Sequence, residues 1–148
     1  MIDLGEKKYT GTILYYLLWP LVLIYAPLRI RVRVLLMVDG DVAVVKNWFG
    51  PNSWQLPGGG AKKGEPAALT AVREIQEELG LVLDPSGLQQ LSQKPLLLNS
   101  GGIFYRYQYI LCKLEEKPAL IMSHGITDTK WAALESVAIP TVISARII

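Results

Sequence analysis

The stretch that most constrains this chain runs from Gly58 to Leu81, where three consecutive glycines lead into a helix with both ends signalled. Pro66 suits the first turn of a helix, where a missing amide donor leaves nothing unpaired, and Gly80 suits the left-handed residue that ends one. Helical spacing places Ala68, Leu69, Val72, Ile75 and Leu79 in one broad apolar sector. Glu74, Glu77 and Glu78 then fall on the far side, within about 100° of one another. Glu74 meets Glu77 at i+3 and Glu78 at i+4, so like charges are neighbours where a solvated helix would alternate signs. At about 6 Å each such pair costs about 0.7 kcal/mol in water and about 2.8 kcal/mol at an effective dielectric of about 20. Placed in a cleft, the cluster needs a cation.

The cation that suits it is hard and oxygen-bound. The chain has one cysteine, Cys112, and one histidine, His124, too few soft ligands for a zinc site and too few thiols for an internal disulfide. Three carboxylates on a rigid helix suit Mg²⁺, with Mn²⁺ as the alternative, because both leave octahedral positions for water or phosphate oxygens. Arg73 precedes Glu77 by four residues, where it can orient a carboxylate or neutralise surplus charge. Gly58, Gly59 and Gly60 permit close backbone approach, offering carbonyls to a metal or amides to a phosphate.

A length of 148 residues gives one domain with a proper core. Fifteen Lys plus Arg against thirteen Asp plus Glu leave a net charge of +2, which builds no broad basic surface and argues against a nucleic-acid partner. The lack of disulfide-forming cysteines makes a reducing, cytoplasmic compartment the expectation. A mean hydropathy of +0.28 is high for a soluble domain. Much of that excess lies between Tyr9 and Leu28, a stretch without a charged residue, preceded by Lys7 and Lys8 and followed by Arg29. Three readings compete for it: a core or homo-oligomer interface segment, an anchor contacting a membrane through residues 9–28, and a processed signal. Pro20 and Pro27 interrupt a helix, and no small-residue cleavage site follows, which counts against the signal. Residues 1–28 are therefore set apart as an apolar extension of a domain over 29–148.

Arg29, Arg31 and Arg33 alternate with Ile30, Val32 and Val34, which places the arginines on one face of a strand reaching Val38. Asp39-Gly40 supplies a hairpin turn into a second strand from Asp41 to Trp48. Phe49 to Gly64 is a long loop. Ile103 to Leu114 reads as a strand with Tyr105, Tyr107 and Tyr109 on one face and Phe104, Arg106 and Gln108 on the other. Shorter strands are expected near Gln89–Gln93, Leu96–Leu98 and Thr129–Ala133, and a short helix after Leu134. Strands interleaved with one strong helix give a mixed α/β sandwich.

Gly59 to Leu81 fits G-x5-E-x7-R-E-U-x-E-E-x-G-U at every fixed position, U being a bulky apolar residue. At average residue usage a chance match is below roughly one in a million per start position. The string resembles the box of the Nudix hydrolases, and its lead-in, Trp54-Gln55-Leu56-Pro57-Gly58-Gly59, is similar to the usual approach to it. With the strand pattern from Arg29 and the late Trp131, the resemblance extends over Arg29 to Ile148. It implies a Nudix-like α/β/α sandwich with a mixed β-sheet, and Mg²⁺-dependent cleavage of a nucleoside diphosphate linked to another group. It further implies that Glu74, Glu77 and Glu78, with the carbonyl of Gly58 or Gly59, hold the metal, that Arg73 fixes a box carboxylate, and that Glu65 is structural or an outer metal-site residue. The proton acceptor is left open between His124, Asp128, Glu77 and Glu78. Gly58, Gly59, Gly60 and Arg106 are candidates for phosphate binding, and Trp54, Tyr105 and Tyr107 for stacking on a base. A nucleotide-sensing module without turnover, or a hydrolase of a membrane-associated diphosphate, are the competing functions.

Overall fold

A computed structural model describes residues 4–123 and 125–147. The chain order is α1 (Leu4–Leu17), α2 (Trp19–Tyr25), β1 (Ile30–Val38), β2 (Asp41–Asn47), α3 (Ala67–Leu79), β3 (Leu88–Gln90), β4 (Leu96–Ser100), β5 (Ile103–Lys113), β6 (Ile126–Ala133) and α4 (Thr141–Ser144). The sheet runs β3-β5-β1-β2-β6, with β4 beside β3 on the same edge of β5. It is mixed: β1 and β5 are parallel from Ile30↔Arg106 to Met37↔Lys113, and the other strand pairs are antiparallel.

Asp39 and Gly40 both take positive φ, 50° and 85°, the requirement of the tight turn whose twist matches a hairpin. The two strands pair only at Met37↔Val42 and Val38↔Asp41 before they part. Residues 55–61 fill the gap. Val34 and Val32 donate their amides to Pro57 and Gly59 at 2.9 and 2.8 Å, Ala61 donates to Ile30 at 2.9 Å, and Gln55 exchanges two hydrogen bonds with Val45 on β2. The glycine-rich loop is thereby part of the sheet.

Alternation along the strands makes two cores. Val32, Val34, Leu36, Val45, Ile110 and Cys112 pack on α3 through Ala67, Ala71, Ile75 and Leu79. Leu35, Val44, Tyr105, Tyr107, Tyr109 and Leu111 pack on the other face against Tyr15, Ala26 and Ile143. Helices thus flank both faces of the sheet, the α/β/α sandwich expected.

The helix begins after Pro66 and ends at Gly80, whose φ of 68° is left-handed and whose amide donates to Gln76 at 3.1 Å. Its packed side differs from the expected sector. Leu69 is half exposed, and Ala67, Thr70 and Ala71 are buried in its place. An apolar-weighted reading underrates alanine and threonine, yet small residues are what allow the first turns to lie close on the sheet. Helical spacing puts Glu74 and Glu78 in the same direction as Ala67 and Ala71, so these two carboxylates do not lie on the far side. They project from the packed side, under the loop.

Helices α1 and α2 are bent by 69° at their junction, and among the described residues no single helix is long and apolar enough to cross a membrane. Gly11 seats α1 on the domain: a Cβ there would lie 2.1 Å from the Trp48 carbonyl oxygen. The Tyr15 hydroxyl shares a hydrogen bond of 3.3 Å with that of Tyr105, and its ring meets Phe49 edge-on. The inner side of residues 9–28 is therefore core, and the outer side is bare.

These packing assignments predict opposite outcomes for two apolar truncations in α3. Ile75→Ala should lower unfolding free energy by about 2–5 kcal/mol, and Leu69→Ala should change it by less than about 0.5 kcal/mol, in urea titrations.

Candidate active site

The glycines of the loop meet the carboxylates of α3 at van der Waals distance. Gly58 has φ 132°, and a Cβ there would stand 2.1 Å from the Val32 carbonyl oxygen, so the loop cannot enter the sheet with any other residue at this place without moving. Its amide donates to Glu78 Oε2 at 2.9 Å. At Gly59 a Cβ would lie 2.4 Å from Glu74 Oε2. Two of the three glutamates are thus held against the loop, whereas the Glu77 side chain stays 60% exposed.

Arg73 organises the rest. Its Nε and Nη2 donate to the two oxygens of Glu65, each at 2.9 Å, a fork-to-fork pair. Nη2 also reaches the Gly60 carbonyl at 3.0 Å, and Nη1 donates to Glu74 at 2.6 Å and to Glu77 at 3.4 Å. Glu65 further accepts from the Lys62 amide and the Thr70 hydroxyl, both at 2.9 Å. The Arg73 hydrogen bonds, with that of the Lys62 amide, hold the Glu65 carboxyl down to about 2. Hydrogen bonding to Glu65 in turn raises Arg73 above its ordinary range. Glu78 moves the other way: burial pushes it up to about 7, against the Gly58 amide and the Arg33 charge, which favour the anion.

Among the described residues no three acidic or imidazole side chains converge as a finished cation cage. The donor set nevertheless fits a hard divalent ion. It offers carboxylate oxygens at i, i+3 and i+4 beside a glycine backbone, and three carboxylates (Glu65, Glu74, Glu77) share the single guanidinium of Arg73, while Glu78 is held by the Gly58 amide. The Gly59 carbonyl accepts the Val32 amide and the Gly60 carbonyl accepts Arg73, so each keeps one lone pair.

Sequence reasoning placed Arg33 on a strand face but missed its use. It is buried, and its Nη1 donates to the carbonyls of Leu56 at 3.1 Å and Gly58 at 3.4 Å, while Nη2 donates to Gln55 Oε1 at 3.1 Å. Among the described residues it forms no ion pair. Arg31 and Arg33 lie over the rings of Tyr105 and Tyr107, at 4.7 and 5.5 Å from their centroids. With Gln55 and the inner face of α1 these residues line a cavity of about 180 Å³. The tyrosine face, not the face of Phe104, Arg106 and Gln108, is the one that meets this cavity. On the other side of the loop, Gly60–Pro66, Arg73 and Gln108 border a more open cavity of about 790 Å³. Neither cavity is lined by Glu74, Glu77 or Glu78.

The remaining expected site residues are scattered. Arg106 is exposed on β5 and lines neither cavity. The Trp54 ring is already covered by Lys46 and Lys130, at 4.8 and 4.4 Å, which leaves it poorly placed to stack on a base. Asp128, on β6 opposite Lys46, accepts the Thr129 amide at 2.9 Å. His124 lies outside the described residues.

The model of the NUDIX domain matches residues 27–147. Among curated proteins, the chain is 30% identical over 116 residues to nucleoside diphosphate-linked moiety X motif 6 of Xenopus laevis, covering 74% of this chain and 52% of that protein. It is 37% identical over 87 residues to an RNA pyrophosphohydrolase of Shewanella loihica, covering 59% of this chain and 44% of that one. The chain therefore spans about half the length of the curated relatives it matches. Its fold is similar to the crystal structure of a MutT/nudix family protein from Enterococcus faecalis, with a TM-score of 0.62 and 21% identity, over 88% of this chain and 56% of that one. The unbroken string from Gly59 to Leu81, folded as a sheet-bound loop clamped to a carboxylate helix within residues that the domain model matches, shows that the chain belongs to the Nudix hydrolase family.

Proposed function

We propose that this chain hydrolyses the diphosphate linkage of a nucleoside diphosphate joined to another group, with Mg²⁺ as its cation and a nucleoside triphosphate or related nucleotide as its substrate. The observation that carries the reading is the Arg73 clamp, which gathers Glu65, Glu74, Glu77 and the Gly60 carbonyl around one guanidinium and still leaves surplus negative charge beside the loop.

Glu74, Glu77 and Glu78, with the Gly59 carbonyl, would hold the cation, which when bound neutralises diphosphate charge and acidifies water. Arg73 and Glu65 hold the carboxylates in register and stay ionised throughout the working pH range. Glu78, held against the loop by the Gly58 amide and kept ionised by the adjacent cation, is suited to take a proton from the attacking water. Arg31 and Arg33 face the tyrosine-lined cavity, where two fixed cations beside aromatic rings suit a phosphate next to a base. The name of the Shewanella relative points to RNA ends. A net charge of +2 favours a free nucleotide here. The free, buried Cys112 is compatible with a cytoplasmic setting.

The test is product formation from nucleoside triphosphates, dinucleotides, nucleotide sugars and 5′-triphosphorylated RNA, with and without Mg²⁺. Cleavage that needs the metal supports the proposal, whereas tight nucleotide binding with no products would identify a sensing module instead. Glu78→Gln should lose roughly 10²–10⁴ in kcat, the usual contribution of a positioned acid or base, while keeping its fold. Glu65→Gln leaves every helix carboxylate in place and should lose about 10–100-fold in metal affinity or activity, because Arg73 is released from its partner.

Stability without metal should carry the mark of Glu78. Its carboxyl is at about 7 in the folded chain and 4.5 ordinarily, so folding favours the protonated form. That stabilisation is present below the ordinary value and is lost as pH rises through 7. In chelator, Glu78→Gln should therefore gain on the wild type between these pH values, by on the order of 3 kcal/mol above pH 7. Urea titrations of both at several pH values measure the gap, and a gap independent of pH would show that Glu78 is not desolvated.

A further inference from the structure

Among the described residues, nothing packs on the outer, apolar side of residues 9–28. Ile13, Leu17, Leu21, Ile24 and Leu28 are each more than half exposed, on two consecutive helices whose inner sides are core. Isolated apolar side chains on a surface are ordinary, but several of them on two consecutive helices mark an interaction site. The position of the helices is fixed from within, by Gly11 on Trp48 and by Tyr15 in the tyrosine core, so the outer residues are not needed to hold the helices in place.

We propose that this face docks on an anionic membrane surface, with both helices lying in the interface. Three observations select lipid over a protein partner. Between Tyr9 and Leu28 there is no charged side chain, whereas a protein interface carries a polar rim and hydrogen-bonding pairs. Tyr9 and Tyr25 are also more than half exposed, and the amphipathic ring of tyrosine suits headgroup level. At the Leu28 end the face runs directly into a cationic rim, because Leu28, Arg29, Lys62 and Lys63 border the same open cavity. The acid on that cavity, Glu65, is committed to Arg73, so the rim is positive and complements anionic headgroups. The 69° bend excludes a straight span: each arm, Tyr9–Leu17 or Trp19–Leu28, rises only about 15 Å at 1.5 Å per residue, half of a hydrocarbon core.

The proposal stands apart from the catalytic reading, and its test does not depend on turnover. The full chain is incubated with phosphatidylcholine vesicles, with or without about 30% phosphatidylserine, at about 0.15 M salt, and bound protein is recovered by flotation. The wild type should float with the anionic vesicles. Leu17→Glu/Ile24→Glu, on the bare face and outside both cores, should lose at least about tenfold in partitioning, with unchanged circular dichroism. Lys62→Ser/Lys63→Ser should also lose about tenfold, which separates the charge contribution from any fault in the helices. Equal recovery on neutral vesicles, or undiminished binding by either double variant, overturns the proposal. So does absence from every vesicle fraction combined with concentration-dependent dimerisation that Leu17→Glu/Ile24→Glu abolishes, which would assign the face to a second copy.

Discussion

Arg73 spends all three of its nitrogens on five oxygens, and those oxygens belong to the two ends of the site: Gly60 and Glu65 from the loop, Glu74 and Glu77 from the helix. A planar guanidinium is the side chain that can do this, because its donors are fixed in a fork that matches a carboxylate edge. A lysine there would neutralise the same charge but could not fix the directions. The pairing also sets the electrostatics. With Glu65 held ionised and the guanidinium shared among several carboxylates, the helix carries more negative charge than one cation offsets, and that surplus is concentrated beside the glycines.

The glycines can stand there because β1 and β2 separate after two residue pairs. Had the hairpin continued, the edge that Val32 and Val34 offer to residues 57–59 would be occupied by β2, and the loop would hang in solvent. The sheet therefore holds the loop as rigidly as a strand, and α3 packs on the same sheet through Ala67, Ala71 and Ile75. Loop and helix share a common support. That is why a carbonyl from one and carboxylates from the other keep a fixed relation, as a site that must discriminate small changes in geometry requires.

The local features of this arrangement were legible in the residues. The bounds of α3, the Asp39-Gly40 turn, the glycine loop and the facing of Tyr105, Tyr107 and Tyr109 each depend on signals a few residues long, and all are found in the structure. The side of α3 that packs was misread, since hydrophobicity ranks Leu69 above Ala67 and Ala71, while the close approach to the sheet selects for small size. The error also placed Glu74 and Glu78 on the far side of the helix, when they project from its packed side, under the loop. Arg33 was illegible for another reason. Its partners Gln55, Leu56 and Gly58 lie more than twenty residues away, and its role exists only once the hairpin has opened.

The apolar extension was read as either core or membrane-facing, and the structure shows why composition alone could not choose. Tyr15 and Ala26 are buried in the tyrosine core, whereas Leu17 and Leu28 are among the most exposed large apolar side chains of the described residues. A helix that is apolar all round is expected to be buried all round. Here one side alone is covered, so the second side is the feature to be explained. Because Tyr15, Tyr16 and Trp19 also wall the cavity that holds Arg31 and Arg33, the two sides are mechanically one body. The Tyr15–Tyr105 hydrogen bond ties that wall to the strand that carries the cavity's tyrosines.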